Sequence, residues 1–150
     1  MFPFSNDFDT LSDGKTTLKI CEKYPGDSDL LPFYYYDIFS ADSSRIGKIS
    51  IRIGDNAHSY YNGHIGYEIS ANHRGNGYAL RACNLVLTVA KYHNMARLYL
   101  TCEISNAASR RVIEKLGGRF LQTVAIPKTC FFWREGITDY HIFSLSLTTS

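Results

Sequence analysis

The stretch from residue 63 to residue 94 constrains this chain more than any other. GHIGYEIS (63–70) alternates like a strand, ANHRGNG (71–77) is turn chemistry, and from Tyr78 apolar residues recur at helical spacing. Within residues 78–94, Ala79, Ala82, Cys83, Val86, Val89, Ala90 and His93 fall on one wide stripe. A strand that enters a glycine turn and leaves it as a long helix commits the region to a layered α/β arrangement. It also gathers free backbone N–H groups and the positive end of a helix dipole at one spot. Gly75 and Gly77 remove side chains where a ligand would approach the backbone. Such a turn suits a phosphate or pyrophosphate, and Arg74 could add a charge-assisted contact. The bare pattern describes an ordinary glycine-capped turn equally well. It is not a Walker loop, because no Gly-Lys-Ser/Thr follows, and its glycine spacing is not that of the dinucleotide fingerprint.

The flanking segments supply the rest of the sheet. KTTLKICE (15–22), FYYYDIFS (33–40) and residues 46–53 read as three strands, the last with Ile49, Ile51 and Ile53 alternating. Residues 24–32 are a turn-rich loop and residues 54–63 a polar loop. Downstream, RLYLTCE (97–103) is a strand with Leu98, Leu100 and Cys102 on one face. Ser105 is placed to cap a second helix with the stripe Ser109, Val112, Ile113 and Leu116, which Gly117 and Gly118 close. Residues 119–126 and 138–147 complete the strands, and residues 127–136 form a loop carrying Phe131, Phe132 and Trp133. The order is three strands, then strand, helix, strand, helix, strand, strand. This predicts a single α/β domain over residues 1–150 with a mixed, mostly antiparallel sheet.

Composition narrows the class of partner. Sixteen basic residues against fourteen acidic ones give a net charge of +2, which points to neither nucleic acid nor a membrane surface as the main partner. Tyr34, Tyr35 and Tyr36 resemble a base-stacking platform, but a sheet strand with aromatics on both faces explains them more simply. No run reaches the roughly 18 apolar residues of a membrane span, and residues 1–10 lack the pattern of a secretory signal, so a cytoplasmic protein is expected. The four cysteines Cys21, Cys83, Cys102 and Cys130 form no Cys-x-x-Cys pair, so no metal site is expected.

Residues 65–79, IGYEISANHRGNGYA, resemble the acetyl-CoA-binding motif of the GNAT N-acetyltransferase superfamily, of the form Arg/Gln-x-x-Gly-x-Gly/Ala, met by Arg74, Gly77 and Ala79. Residues 103–118, EISNAASRRVIEKLGG, resemble that superfamily's next strand-helix segment through Asn106, Ser109 and Lys115-Leu116-Gly117. The branch it looks most like is that of the ribosomal-protein alanine acetyltransferases. The resemblance implies an acetyl-CoA-dependent N-acetyltransferase acting on a small-molecule, amino-acid or peptide amine. Backbone N–H groups across Arg74, Gly75, Asn76, Gly77, Tyr78 and Ala79 would hold the pyrophosphate. Ile69, Ser70 and Ala71 would pair with the pantetheine arm like an added strand, and Asn106 would contact that arm.

Direct transfer needs a neutral amine, and the resemblance makes Glu68 the candidate general base, with His64 and His141 as weaker alternatives. Glu68 reads equally as one partner of a sheet-surface ion pair. The backbone N–H of Ser70 or Ala71 would support the oxyanion. Many superfamily members carry a tyrosine seven residues after the helix-starting Asn, but this chain has Ile113 there; the resemblance offers Ser109, acting through water, as a proton donor, while a thiol with a pKa of about 8.5 leaves with little help, so the acid assignment stays open. Relatives also place a helix pair between their first two strands, where this chain has about ten residues. The acceptor cleft is therefore expected to be more open, walled by Phe131, Phe132 and Trp133, or completed by a second subunit as a homodimer. These aromatics fit a core or an interface equally well. A non-catalytic acyl-CoA-binding sensor on the same fold is the alternative class.

Overall fold

A computed structural model describes residues 2–147. The chain divides into two units, one made of residues up to Gly54 together with Ile65–Met95, the other of Asp55–His64 and the residues from Ala96 onward.

The first unit holds a five-stranded sheet: β1 (Thr10–Ser12), β2 (Thr17–Tyr24), β3 (Phe33–Phe39), β4 (Arg45–Arg52) and β5 (Ile65–Ile69). The strands lie in chain order and every pair is antiparallel. Strict alternation decides which face is the core. Tyr34, Tyr36 and Ile38 of β3 are fully buried beside Ile49 and Ile51 of β4, while Phe33, Tyr35, Lys48, Ser50 and Arg52 point to the other face. Helix α2 (Tyr78–Tyr92) packs on β4 and β5 and buries Ala82, Cys83, Val86, Val89 and Ala90, the middle of the stripe its sequence predicts, while Ala79 and His93 at the stripe's ends are half-buried. Burying five of fifteen side chains supplies most of this helix's stability. Because Tyr34 and Tyr36 are sealed in this core, stacked 6.3 Å apart, they present no ring to a nucleic acid.

The second unit holds a three-stranded antiparallel sheet ordered β6 (Arg97–Glu103), β8 (Tyr140–Ser146), β7 (Arg119–Val124). Leu98, Leu100 and Cys102 of β6 are buried, as their alternation requires. Helix α3 (Ala107–Leu116) packs on β6 through a narrower stripe, of which only Ile113 is fully buried.

Several expectations are corrected in detail. The loop over residues 54–63 contains a short helix, α1 (Ser59–Asn62), because Ser59 and Asn56 close a turn through Asn56 N–H donating to Ser59 Oγ at 2.9 Å. The cap of α3 is Asn106 rather than Ser105, since the Asn106 carboxamide oxygen reaches the Ser109 N–H at 3.0 Å. The edge strand β1 adds three residues that carry no alternation long enough to read. Strand ends move by one to two residues, β2 running to Tyr24 and β8 starting at Tyr140.

Candidate active site

The turn between β5 and α2 is tied down from below and left open above. The Arg74 Nε–H donates to the Ile69 carbonyl at 2.9 Å, and Asn76 Nδ2 donates to the His73 carbonyl at 3.2 Å. Ser70 Oγ and His73 Nδ1 lie 2.8 Å apart. These bonds consume side chains in shaping the loop, and residues 74–77 are exposed. Gly75 and Gly77 both sit at φ +81°, left-handed backbone in which a side chain is strained. A Cβ at either position would meet nothing within 4 Å in the chain itself, so conformation rather than crowding calls for glycine.

Helix α2 begins at Gly77 with no side-chain cap, and its first intrahelical bond runs from Arg81 N–H to the Gly77 carbonyl at 3.1 Å. The amides of Tyr78, Ala79 and Leu80 precede that bond and so have no helical acceptor. No acidic residue lies in the first turn to neutralise the dipole. An anion is the complement such an end lacks.

Glu68 lies one residue before Ile69 on the same strand. Ile69 is buried, whereas Glu68 is exposed on the opposite face, where it stands directly across the ladder from Lys48. Close approach of the two strands depends on Gly47, because a Cβ there would fall 2.2 Å from the Glu68 carbonyl oxygen. Beside Glu68 the sheet face forms a concavity of about 380 Å³. Phe33 and Tyr35 supply its apolar wall, Lys48 and Arg52 its cations, and Glu68 its carboxylate. The Lys48 Nζ sits 5.2 Å from the centre of the Tyr35 ring. Burial pushes the Arg52 guanidinium below its ordinary value. Reading residue types alone misses this concavity. Only the register, with Tyr35 across from Ser50 and Ser50 across from Gly66, brings the three strands' side chains together.

The remaining predicted residues belong to the second unit. Asn106 is committed through its oxygen to capping α3, and Ser109 is half-buried in the first turn of that helix. Ile113, at the position where relatives carry a tyrosine, is buried. In the loop after β7, Phe131 is half exposed and packs edge-on against His58, Phe132 lies 5.9 Å from Tyr140, and Lys128 covers the Trp133 ring. Both weaker base candidates are engaged. His64 is fully buried, accepts from the Tyr99 N–H at Nδ1 (2.9 Å) and faces Asp55 with Nε2 (3.3 Å). His141 has Thr123 Oγ1 2.7 Å from Nδ1 and Arg110 Nη1 3.4 Å from Nε2. Among the described residues no group of three or more His, Cys, Asp or Glu side chains could hold a metal ion, and no helix is long and apolar enough to cross a membrane.

Comparison with known proteins gives this geometry a context. Residues 6–119 match a family model described as the acetyltransferase (GNAT) domain. No curated protein sequence matches the chain. Among solved structures it is similar to a ribosomal-protein-S5-alanine acetyltransferase from Vibrio fischeri, with a TM-score of 0.61 and 21% identity over 76% of this chain and 61% of that one. It is also similar to the microcin C7 self-immunity acetyltransferase MccE, solved with acetyl-CoA and AMP, with a TM-score of 0.59 and 21% identity over 76% of this chain and 61% of that one. A third structure, whose acetyltransferase assignment is itself provisional, aligns over 98% of this chain and 92% of its own at a TM-score of 0.69 and 14% identity. At these identities the likeness establishes the fold. The chain spans about three-fifths of the length of the first two relatives.

Proposed function

From its membership of the GNAT acetyltransferase domain family, we propose that this chain is an N-acetyltransferase that moves an acetyl group from acetyl-CoA to a primary amine. The observation that carries the reading is the open start of α2, where uncapped amides follow a glycine turn whose own side chains are spent on holding its shape. The pyrophosphate of the cosubstrate would be held by backbone N–H groups from Arg74 to Ala79. Ile69, Ser70 and Ala71 would pair with the pantetheine arm, and Asn106, whose amide nitrogen is not used in the cap, would donate to it.

In the reaction an amine nitrogen bonds to the thioester carbonyl carbon, the C–S bond breaks, and the thiolate leaves to be protonated. A lysine-like amine with a pKa of about 10.4 is neutral in fewer than roughly one molecule in a thousand at neutral pH, so a base is useful. Glu68 is the residue we assign to receive that proton, directly or through water, because it is the carboxylate of the concavity. Ser109, through water, would return a proton to the thiolate. A thiol with a pKa of about 8.5 leaves readily, and Ile113 in place of a tyrosine is tolerable on that ground. The lack of that tyrosine is also what favours the second reading, an acyl-CoA-binding sensor that performs no transfer. The acceptor is a small molecule or peptide, a cytoplasmic setting suits the four free thiols, and a homodimer is the arrangement that would complete an open acceptor cleft.

The test is thiol release from acetyl-CoA over a panel of amines. The expected result is turnover with at least one amine, and a fall in kcat of about 100-fold or more for Glu68→Gln, the usual range for losing a general base. Acetyl-CoA binding without release from any amine favours the sensor.

A further inference from the structure

On the outer face of the first unit's sheet, Tyr35 of β3, Ser50 of β4 and Gly66 of β5 stand in one cross-strand row. The two small residues make that row a slot, because the side chains flanking it are long: Phe33 and Arg52 on one side, Lys48 and Glu68 on the other. A Cβ at Gly66 would lie 3.4 Å from Ser50 Oγ, so even a methyl group there would crowd the floor. Tyr35 closes the end of the slot and meets Phe33 edge to face, with ring centres 6.3 Å apart and planes at 81°. Each ring is held by a neighbour as well. Tyr24 stacks on Phe33 at 5.1 Å, and Lys48 Nζ lies 5.2 Å from the centre of the Tyr35 ring. Two rings fixed near a right angle make a corner that suits a flat partner, since a further ring can stack on one and offer its edge to the other.

Spacing sets the length of the ligand. Tyr35 and Glu68 are two strands and two residues apart, about 12 Å along the sheet surface. Ring stacking takes about 4.5 Å of that and an N–H···O contact about 3 Å, which leaves about 5 Å between the ligand's ring centre and its nitrogen. A link of about two carbons spans that distance. Resting on the transferase reading above, we propose that the acceptor is a small amine joined through a short chain to a flat aromatic ring, on the scale of phenethylamine. Its amine faces Glu68, and its ring lies over Ser50 and Gly66 against Tyr35 and Phe33. Tyr35 is then the residue that selects the ring, and Gly66 the residue that keeps the slot open for it.

The experiment compares phenethylamine with cyclohexylethylamine, which share their link and differ in the flatness of the ring, so general apolar burial does not separate them. Thiol release from acetyl-CoA is read as KM and kcat for each. The expected result is a KM lower for phenethylamine by about threefold or more, the size of one aromatic contact. Benzylamine and phenylbutylamine, with links too short and too long, give a higher KM than phenethylamine. In Tyr35→Leu, which keeps an apolar side chain but removes the ring, the preference for the flat ring disappears. In Gly66→Val, which fills the slot, KM for phenethylamine rises by about tenfold or more. A parent that uses cyclohexylethylamine as well as phenethylamine, or a preference that Tyr35→Leu leaves unchanged, overturns the proposal. Should Tyr35→Leu fail to fold, a KM that Gly66→Val leaves unchanged overturns it instead.

Calorimetric binding of the same two amines to the protein alone covers the case in which neither is turned over. Phenethylamine bound about threefold or more tightly than cyclohexylethylamine supports the ring subsite, and equal binding overturns it. Acetyl-CoA binding, measured separately, keeps the two readings apart. If it is absent while phenethylamine is preferred, the transferase reading falls and the subsite stands. If it is present while the slot does not distinguish the two rings, the reverse holds.

Discussion

Helix α2 starts at a left-handed glycine that offers no side chain, whereas α3 starts at an asparagine whose carboxamide closes its own first turn. The burial of the two helices explains how both arrangements are sustained. α2 is fifteen residues long and buries five side chains, so packing holds it and its N-terminus is left for something other than stability. α3 is ten residues long with one fully buried side chain, so its cap is a substantial part of what holds it. One helix start is chemically available and the other is structurally committed.

The largest effect is expected from Gly77→Glu, which sets a carboxylate at the open helix start. Repulsion between like charges of several kcal/mol should weaken acetyl-CoA affinity by about 100-fold or more, read by calorimetry, while circular dichroism shows the fold intact. Asn106→Ala should instead lower stability by about 1 kcal/mol in urea melts, the usual cost of losing a cap. Gly77→Ala should cost a comparable amount, about 1 kcal/mol, from its left-handed backbone alone, and Gly77→Asn less, because asparagine tolerates that conformation. If Gly77→Ala proved as damaging to acetyl-CoA binding as Gly77→Glu, conformation rather than charge would be the determinant.

The smallest effect is a pH dependence at the other end of α2. His93 Nε2 lies 2.8 Å from the Tyr34 hydroxyl, and burial holds its imidazole below the ordinary value of 6.5. The unfolded chain therefore takes up the proton first as pH falls. Stability is full above that ordinary value and declines below it, and His93→Gln should flatten the decline in melts from pH 7 to pH 5.

Much of this architecture could be read from residue pattern because burial is one-sided. The α2 stripe and the alternation of β4 and β6 each point to a core face, and those faces are buried where the pattern puts them, except that Ala79 and His93 at the ends of the stripe are half-buried. What escaped the pattern has physical causes. Strand β1 is too short to alternate, and α1 is a four-residue helix in a polar loop, formed by side-chain turns rather than by an apolar face. The turn around Arg74 was legible through its glycines, but not that Arg74 and Asn76 would be spent on shaping it. The concavity beside Glu68 was not legible at all. Its residues lie on three strands, β3, β4 and β5, and meet only through register, with the space over Gly66 opened by the lack of a side chain.

The central claim is that the open start of α2 binds acetyl-CoA, and calorimetric titration of the purified chain with acetyl-CoA, beside Gly77→Glu, tests it most directly. One saturable site in the parent and its loss in the folded variant are expected. A parent that gives no binding, or a variant that binds as the parent does, would contradict it.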